Sequence, residues 1–214
     1  MRVNKSLPLK GRVRFAFVVD GECEFWYLQM FKRNEKGVSV TLEPKIPQRK
    51  KLEDQYQHVI ELAKDYEKVF WIVDLDVINK ETQLAKRGTE TPFQKLEKYC
   101  ASLKKDYKKV IVIINNPCLE FWLLLHFEST SKYFDNCDGA TKQLKKHLGD
   151  YEKTQGYYTK QGNDIYVKLK PNLATALANA NRLSEFDFGN AFTGISQMQL
   201  FFESDKIKEN SISL

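Results

Sequence analysis

The chain lacks any apolar run long enough to cross a bilayer. Its most hydrophobic stretches, Val110 to Ile114 and Phe121 to Phe127, fall well short of the roughly 18 residues such a span needs. It also lacks a secretory leader pattern, because the basic start MRVNKSLPLKGRVRFAFVVDG has no apolar core followed by a small-residue cleavage site. A cytoplasmic protein with no membrane partner is the expectation. Cysteine is sparse: Cys23, Cys100, Cys118 and Cys137 form no C-x-x-C pair, and no histidine stands at zinc-finger spacing. Free thiols in a reducing compartment are therefore expected, and a structural zinc site is not. With 10 Gly and 6 Pro in 214 residues, and no repeat or low-complexity linker, collagen-like and wholly disordered classes are excluded.

What is present is an ordinary globular composition, 42% hydrophobic and 29% charged, in a chain long enough to bury a core without disulfides or structural metal. The net charge of +6 is uneven: residues 1–110 carry 23 Lys and Arg against 16 Asp and Glu, and the remainder carries 11 against 12. Basic groups at Arg49-Lys50-Lys51, Lys104-Lys105 with Lys108-Lys109, and Lys142 with Lys145-Lys146 suit a phosphate backbone, and equally suit solvated helix faces. Arg49, Lys50 and Lys51 are the candidate nucleic-acid contacts. Within a polar aromatic stretch at about 151–170, Tyr157 to Lys170 interleaves aromatics with lysines and fits either a single-strand stacking surface or an ordinary exposed strand.

Periodicity orders the chain. Arg12 to Val19 reads as a buried strand that ends at the turn Asp20-Gly21, and from Glu22 apolar residues recur at helical spacing until Lys36-Gly37. Val38 to Ile46 predicts a second strand, Lys51 to Glu67 a helix, and Lys68 to Val73 a third strand ending at Asp74. Pro92 opens a helix running to Tyr107, and Val110 to Ile114 is an apolar strand ending at Asn115-Asn116-Pro117. Helices are then expected at about 118–128, 139–148, 172–186 and 195–209. The βαβαβαβ order predicts an α/β fold with a mainly parallel sheet of about four strands, helices on both faces and C-terminal helices. The division expected is an α/β core over 1–130 and a mainly helical extension over 131–214.

Acidic residues fall at three of the predicted strand ends: Asp20 with Glu22 and Glu24, Asp74 with Asp76, and Glu120. Ligands of open α/β sheets sit beyond the carboxyl ends of the strands. Carboxylates gathered there repel one another unless a cation intervenes, and Mg²⁺ favours a few carboxylates, waters and phosphate oxygens. Each acid also has a plainer reading as a cap of the helix that follows. For Asp74-Leu75-Asp76 that reading is weaker, since no helix is expected to start directly after it. For Glu120, catalysis and a capping box with Asn116 as cap and Pro117 in the first turn stand side by side. His126 reads as a core histidine, since no second histidine shares its face.

The ordered set VVDGECEFWYLQMF, VFWIVDLD and IINNPCLEFWLLLHF resembles the RloB-like family, which is linked to the AbiLii abortive-infection proteins of bacteria. The likeness spans about residues 12 to 130 and extends weakly through the C-terminal helices. It implies a Toprim-like fold, in which a glutamate after the first strand accompanies a later D-x-D. Asp74 and Asp76 match the D-x-D. The glutamate's counterpart is Asp20, one methylene shorter, with Glu22 and Glu24 nearby as substitutes. The family's N-P-x-x-E segment is carried by Asn116, Pro117 and Glu120.

The resemblance implies a Mg²⁺- or Mn²⁺-dependent nuclease of phage defence. Asp74, Asp76 and Asp20 are its metal residues, and Asp20, Glu22 and Glu120 its catalytic ones. Nucleic acid, DNA or RNA, is the implied substrate, and an AAA- or ABC-type ATPase the implied partner. Two other readings compete. A non-catalytic module that binds nucleic acid or the ATPase would keep the scaffold without the chemistry. A HAD-like phosphatase would use the first Asp of IVDLDVI as nucleophile, although that motif belongs on the first strand of such enzymes.

Overall fold

The computed structural model describes residues 14–36, 51–205 and 207. Strand β1 (Phe15–Val18) leads into α1 (Glu22–Asn34). After α2 (Leu52–Asp65) come β2 (Lys68–Asp74), α3 (Leu75–Gln83), α4 (Pro92–Asp106) and β3 (Val110–Asn116). Helices α5 (Leu119–Leu125), α6 (Cys137–Leu144), α7 (Gln155–Tyr158), α8 (Ile165–Leu169) and α9 (Leu173–Asn181) follow, then β4 (Ile195–Ser196) and α10 (Gln199–Phe202). The strand expected at 38–46 lies outside the described residues, as do Arg49 and Lys50.

The sheet order is β1-β2-β3-β4, with the first three strands parallel and β4 antiparallel to β3. Asp74 lies opposite Asn115 in the β2–β3 register, so the carboxyl ends of the two strands are level. Strand alternation sorts the side chains between two faces. Phe15, Phe17, Phe70, Ile72 and Ile113 pack with α1, α5 and the C-terminal helices. Ala16, Val18, Val69, Trp71, Val73 and Ile114 pack with α2, α3 and α4. Each fully buried aliphatic or aromatic side chain contributes roughly 1.5–3 kcal/mol by leaving water, so a sheet covered on both faces has a strongly fixed register. The first cluster runs from Phe15 to Ile207, joining the N-terminal strands to the last helices. No helix among the described residues is long and apolar enough to cross a membrane.

Four local expectations are corrected. A helix does start directly after Asp74: the Leu75 and Asp76 N–H groups both donate to the Pro117 carbonyl, at 2.9 and 3.0 Å, so a distant residue does what a local cap would have done. The region expected as a helix over 195–209 begins instead with β4, where Ile195 and Ser196 pair with Asn116 and Asn115, and continues as the short α10. The stretch 151–170 holds no strand; it forms α7 and α8 and buries Tyr151, Tyr158 and Tyr166. Finally, only Cys23 and Cys100 are free among the four cysteines; Cys118 and Cys137 are joined as a disulfide with Cα atoms 5.8 Å apart.

Candidate functional site

The site stands where β1, β2 and β3 end. Asp20 follows β1, Glu24 projects from the first turn of α1, Asp74 ends β2, Asp76 opens α3 and Glu120 opens α5. Glu24 shares a buried helix face with Tyr27, Leu28 and Phe31, at i, i+3, i+4 and i+7, and is itself buried. Glu22 is exposed. The carboxyl that the structure sets beside Asp74 is therefore that of Glu24. Gly21 leaves room for it, because a Cβ there would lie 2.9 Å from Glu24 Oε2.

Glu24 and Asp74 are both buried, and the like charges of the cluster disfavour ionisation of both at once. Burial, together with repulsion from Asp20 and Glu120, pushes the Glu24 carboxyl up to about 7. Asp74 is raised well above the usual carboxylate range, first by burial and then by Glu24 and Asp20. Asp20 is raised by burial, and by the charges of Asp76 and Glu81 acting against its bond from Gln55. Asp76 is also raised by burial, although the Val77 N–H opposes this.

The surrounding polar groups fix these acids in place. The Asn115 amide donates to Asp74 Oδ1 at 3.0 Å and itself accepts from Ser196 Oγ at 2.7 Å. Leu119 N–H donates to Asp74 Oδ2 at 3.2 Å, so Asp74 also holds the first residue of α5. On the other side, Trp71 Nε1 donates to Gln55 Oε1 at 2.9 Å, and Gln55 Nε2 donates to Asp20 Oδ1 at 3.1 Å. Asp76 is half-buried, and its Oδ1 accepts from Val77 N–H at 2.8 Å. It is the least encumbered member of the D-x-D pair.

Glu120 is 1% exposed and does not form the capping box that was one of its two readings. Cys118 is the N-cap of α5, while the Asn116 amide donates to the Ala191 and Thr193 carbonyls at 2.7 and 2.9 Å. Glu120 Oε1 instead accepts from Tyr151 OH at 2.5 Å and pairs with Lys153 Nζ at 3.0 Å, while Oε2 lies 2.9 Å from Cys118 Sγ. Tyr151 and Tyr158 join their hydroxyls at 2.7 Å. His126 is a core histidine: burial lowers its pKa to about 4, and its Nδ1 lies 3.1 Å from the Trp122 carbonyl.

The donors around this rim are carboxylate oxygens, a set that suits a hard divalent cation; Mg²⁺ takes one or two carboxylates and completes its shell with water and phosphate. A tighter grouping joins Asp74 to Cys118 and Cys137, with ligand atoms all within 4.8 Å of one another. There the two sulfurs are committed to each other in the disulfide. A cavity of about 360 Å³ opens beside Asp20, with Lys51 and Lys95 among its polar walls and Val77 and Ile78 among its apolar ones. Lys51 is thus the one of the three expected basic contacts that the described residues place near the acids.

Gln55, Tyr151 and Lys153 were missed by sequence reasoning. Gln55 comes from the polar pattern of an amphipathic helix, and Tyr151 and Lys153 come from a polar aromatic stretch between helices. None carries a local signal that points to the site, because the acids they meet are 31 or more residues away. Glu24 did carry one, in its helical spacing with Tyr27, Leu28 and Phe31. No curated protein and no solved structure matches the chain. A family model described as RloB-like protein matches residues 15–201, and the chain belongs to the RloB-like protein family.

Proposed function

We propose that the protein is a divalent-metal-dependent nuclease, hydrolysing phosphodiesters of nucleic acid in bacterial phage defence, with a Toprim-like core. The observation that carries this reading is the gathering of Asp20, Glu24, Asp74, Asp76 and Glu120 at the carboxyl ends of three parallel strands, with Glu24, Asp74 and Glu120 buried. A fold does not assemble five carboxyls in one half-buried place for stability, since each burial and each like-charge contact is unfavourable.

Asp74 and Asp76 would hold Mg²⁺ or Mn²⁺, with Asp20 or Glu24 completing the set. When bound, such a cation supplies neutralisation of phosphate charge and activation of water. The chain's own groups do the rest. Asn115 and Leu119 N–H keep the Asp74 carboxylate from rotating, and the Trp71–Gln55 pair does the same for Asp20. Glu24, pushed up to about 7 by burial and neighbouring acids, would exchange its proton for the cation near neutral pH. Lys51 and Lys95, on the cavity beside Asp20, offer positive charge to a flanking strand.

Asp74 has both oxygens engaged and is 8% exposed, which opposes its use as the attacking nucleophile of a HAD-like phosphatase. The same engagement favours the second reading, a module that binds nucleic acid or an ATPase partner without cleaving. The two separate in one assay. Mixed DNA and RNA are incubated with wild type and Asp76→Asn in Mg²⁺, Mn²⁺ or EDTA. Metal-dependent cleavage by wild type, lost in Asp76→Asn, is expected; binding that persists in EDTA with no cleavage in either metal supports the module instead.

A further inference from the structure

The acidic rim has a difficulty as a phosphodiester site: a polyanion entering it meets carboxylates on three sides. Lys153 answers that difficulty. It lies between α6 and α7, and its Nζ sits 3.0 Å from Glu120 Oε1. Tyr151, two residues earlier, is fully buried and bonds the same Glu120 oxygen at 2.5 Å, and Tyr158 fixes Tyr151 in turn. The loop that carries Lys153 is therefore anchored at its root by two buried hydroxyls. The Lys153 side chain nonetheless remains 39% exposed.

Its charge reaches the centre of the site. Asp76 is raised by burial, and the Lys153 charge opposes that rise, while Glu120 and Asp74 support the lysine's positive charge. Burial favours the neutral amine, but the Glu120 carboxylate outweighs it and holds the ammonium above its usual range. An ammonium has three protons, and Glu120 Oε1 is the acceptor it has here, so protons remain to be offered toward solvent.

We propose that Lys153 is a substrate-contacting residue, donating from Nζ to a non-bridging oxygen of the phosphodiester held over Asp74 and Asp76. Glu120 and Tyr151 are then positioning residues that hold the lysine at the mouth of the site. This inference rests on the nuclease reading of the same site.

The test uses the full chain, with wild type, Lys153→Met, Lys153→Arg and Asp76→Asn. Binding of a fluorescent mixed-sequence single-stranded 12-mer, made as DNA and as RNA, is followed by anisotropy in Ca²⁺ across a salt series, while Mg²⁺ binding is followed by calorimetry. Lys153→Met is expected to weaken 12-mer binding about tenfold and to reduce the salt slope by about one, with Mg²⁺ affinity within about threefold of wild type. Lys153→Arg is expected to recover most of the loss, which a packing role would not allow, and thermal melting confirms that each variant is folded. Equal 12-mer affinity and salt slope in wild type and a folded Lys153→Met overturn the proposal, as does failure of wild type to bind either 12-mer. Absence of Mg²⁺ binding by wild type would instead overturn the metal site, leaving the anisotropy to decide the role of Lys153 by itself.

Discussion

The two ends of α1 both meet buried carboxyls, and they treat them in opposite ways. At the C-terminal end, Asp164 accepts from Arg33 at 2.7 Å, from Asn34 and from the Val167 N–H that it caps, while Glu35 accepts from Tyr166 at 2.9 Å and Lys170 at 2.6 Å. Against a burial penalty, those donors hold Asp164 below its ordinary pKa. At the N-terminal end, Glu24 faces Asp74, Asp20 and Glu120, and is raised to about 7. One helix thus separates an acid cluster that is fully matched from one that is not. A matched cluster stabilises the fold, whereas an unmatched one has some other reason to exist.

The sharpest way to break the comparison is to remove a carboxylate from the unmatched end. Asp76→Asn is expected to abolish most Mg²⁺ binding and to lower metal-dependent cleavage on the order of a hundredfold, without loss of thermal stability. If the variant melts well below wild type instead, the N-terminal cluster is structural like its counterpart.

Next in size is the pH dependence of the metal-free protein. Glu24 in the folded state keeps a proton that the unfolded chain releases between pH 4.5 and about 7. The folded state thus binds more protons in that window, so this group's contribution to stability falls as pH rises through it, by about 3 kcal/mol at pH 8. Melting by calorimetry is expected to show a lower Tm at pH 8 than at pH 5.5, recovered by Mg²⁺, and Glu24→Gln is expected to flatten the profile. A Tm that rises over the same interval in both proteins contradicts the unmatched state of the cluster.

At the matched end the sign reverses. Asp164→Ala leaves the Val167 N–H and Arg33 without their acceptor and is expected to cost about 2 kcal/mol, read as a Tm lower by roughly 4–8 °C, with Mg²⁺ binding unchanged. The smallest effect is reserved for Gly21→Ala, whose Cβ would push the Glu24 carboxylate aside. Mg²⁺ affinity is expected to fall about threefold, roughly 0.6 kcal/mol, with little change in Tm. Titration calorimetry reads the affinity, and scanning calorimetry on the same preparation reads the Tm.

Much of this comparison was legible in the sequence. The apolar runs of β1, β2 and β3, and the periodic faces of α1, α2 and α4, are strong local patterns, and they carried Asp20, Asp74 and Asp76 to strand ends. Glu22 was chosen for the site although Glu24 lies on the apolar stripe of α1, a distinction that helical spacing alone supports. Other features are set by distant partners. The start of α3 is capped by the Pro117 carbonyl, β4 exists only by pairing two residues with the end of β3, and Lys153 reaches Glu120 from a loop rooted by a buried tyrosine. The Cys118–Cys137 disulfide spans 19 residues, with no spacing motif to announce it. Short elements and cross-chain contacts leave little periodicity to read.

The central claim is that the N-terminal cluster is built for a divalent cation, and the most direct measurement is titration of Mg²⁺ into wild type and Asp76→Asn in two buffers of different ionisation heat. Wild type is expected to bind and, at pH 6.5, to release a proton from the raised Glu24 carboxyl, with heats that differ between the buffers, while Asp76→Asn binds weakly or not at all. Absence of Mg²⁺ binding by wild type, or equal binding by the variant, would contradict the claim.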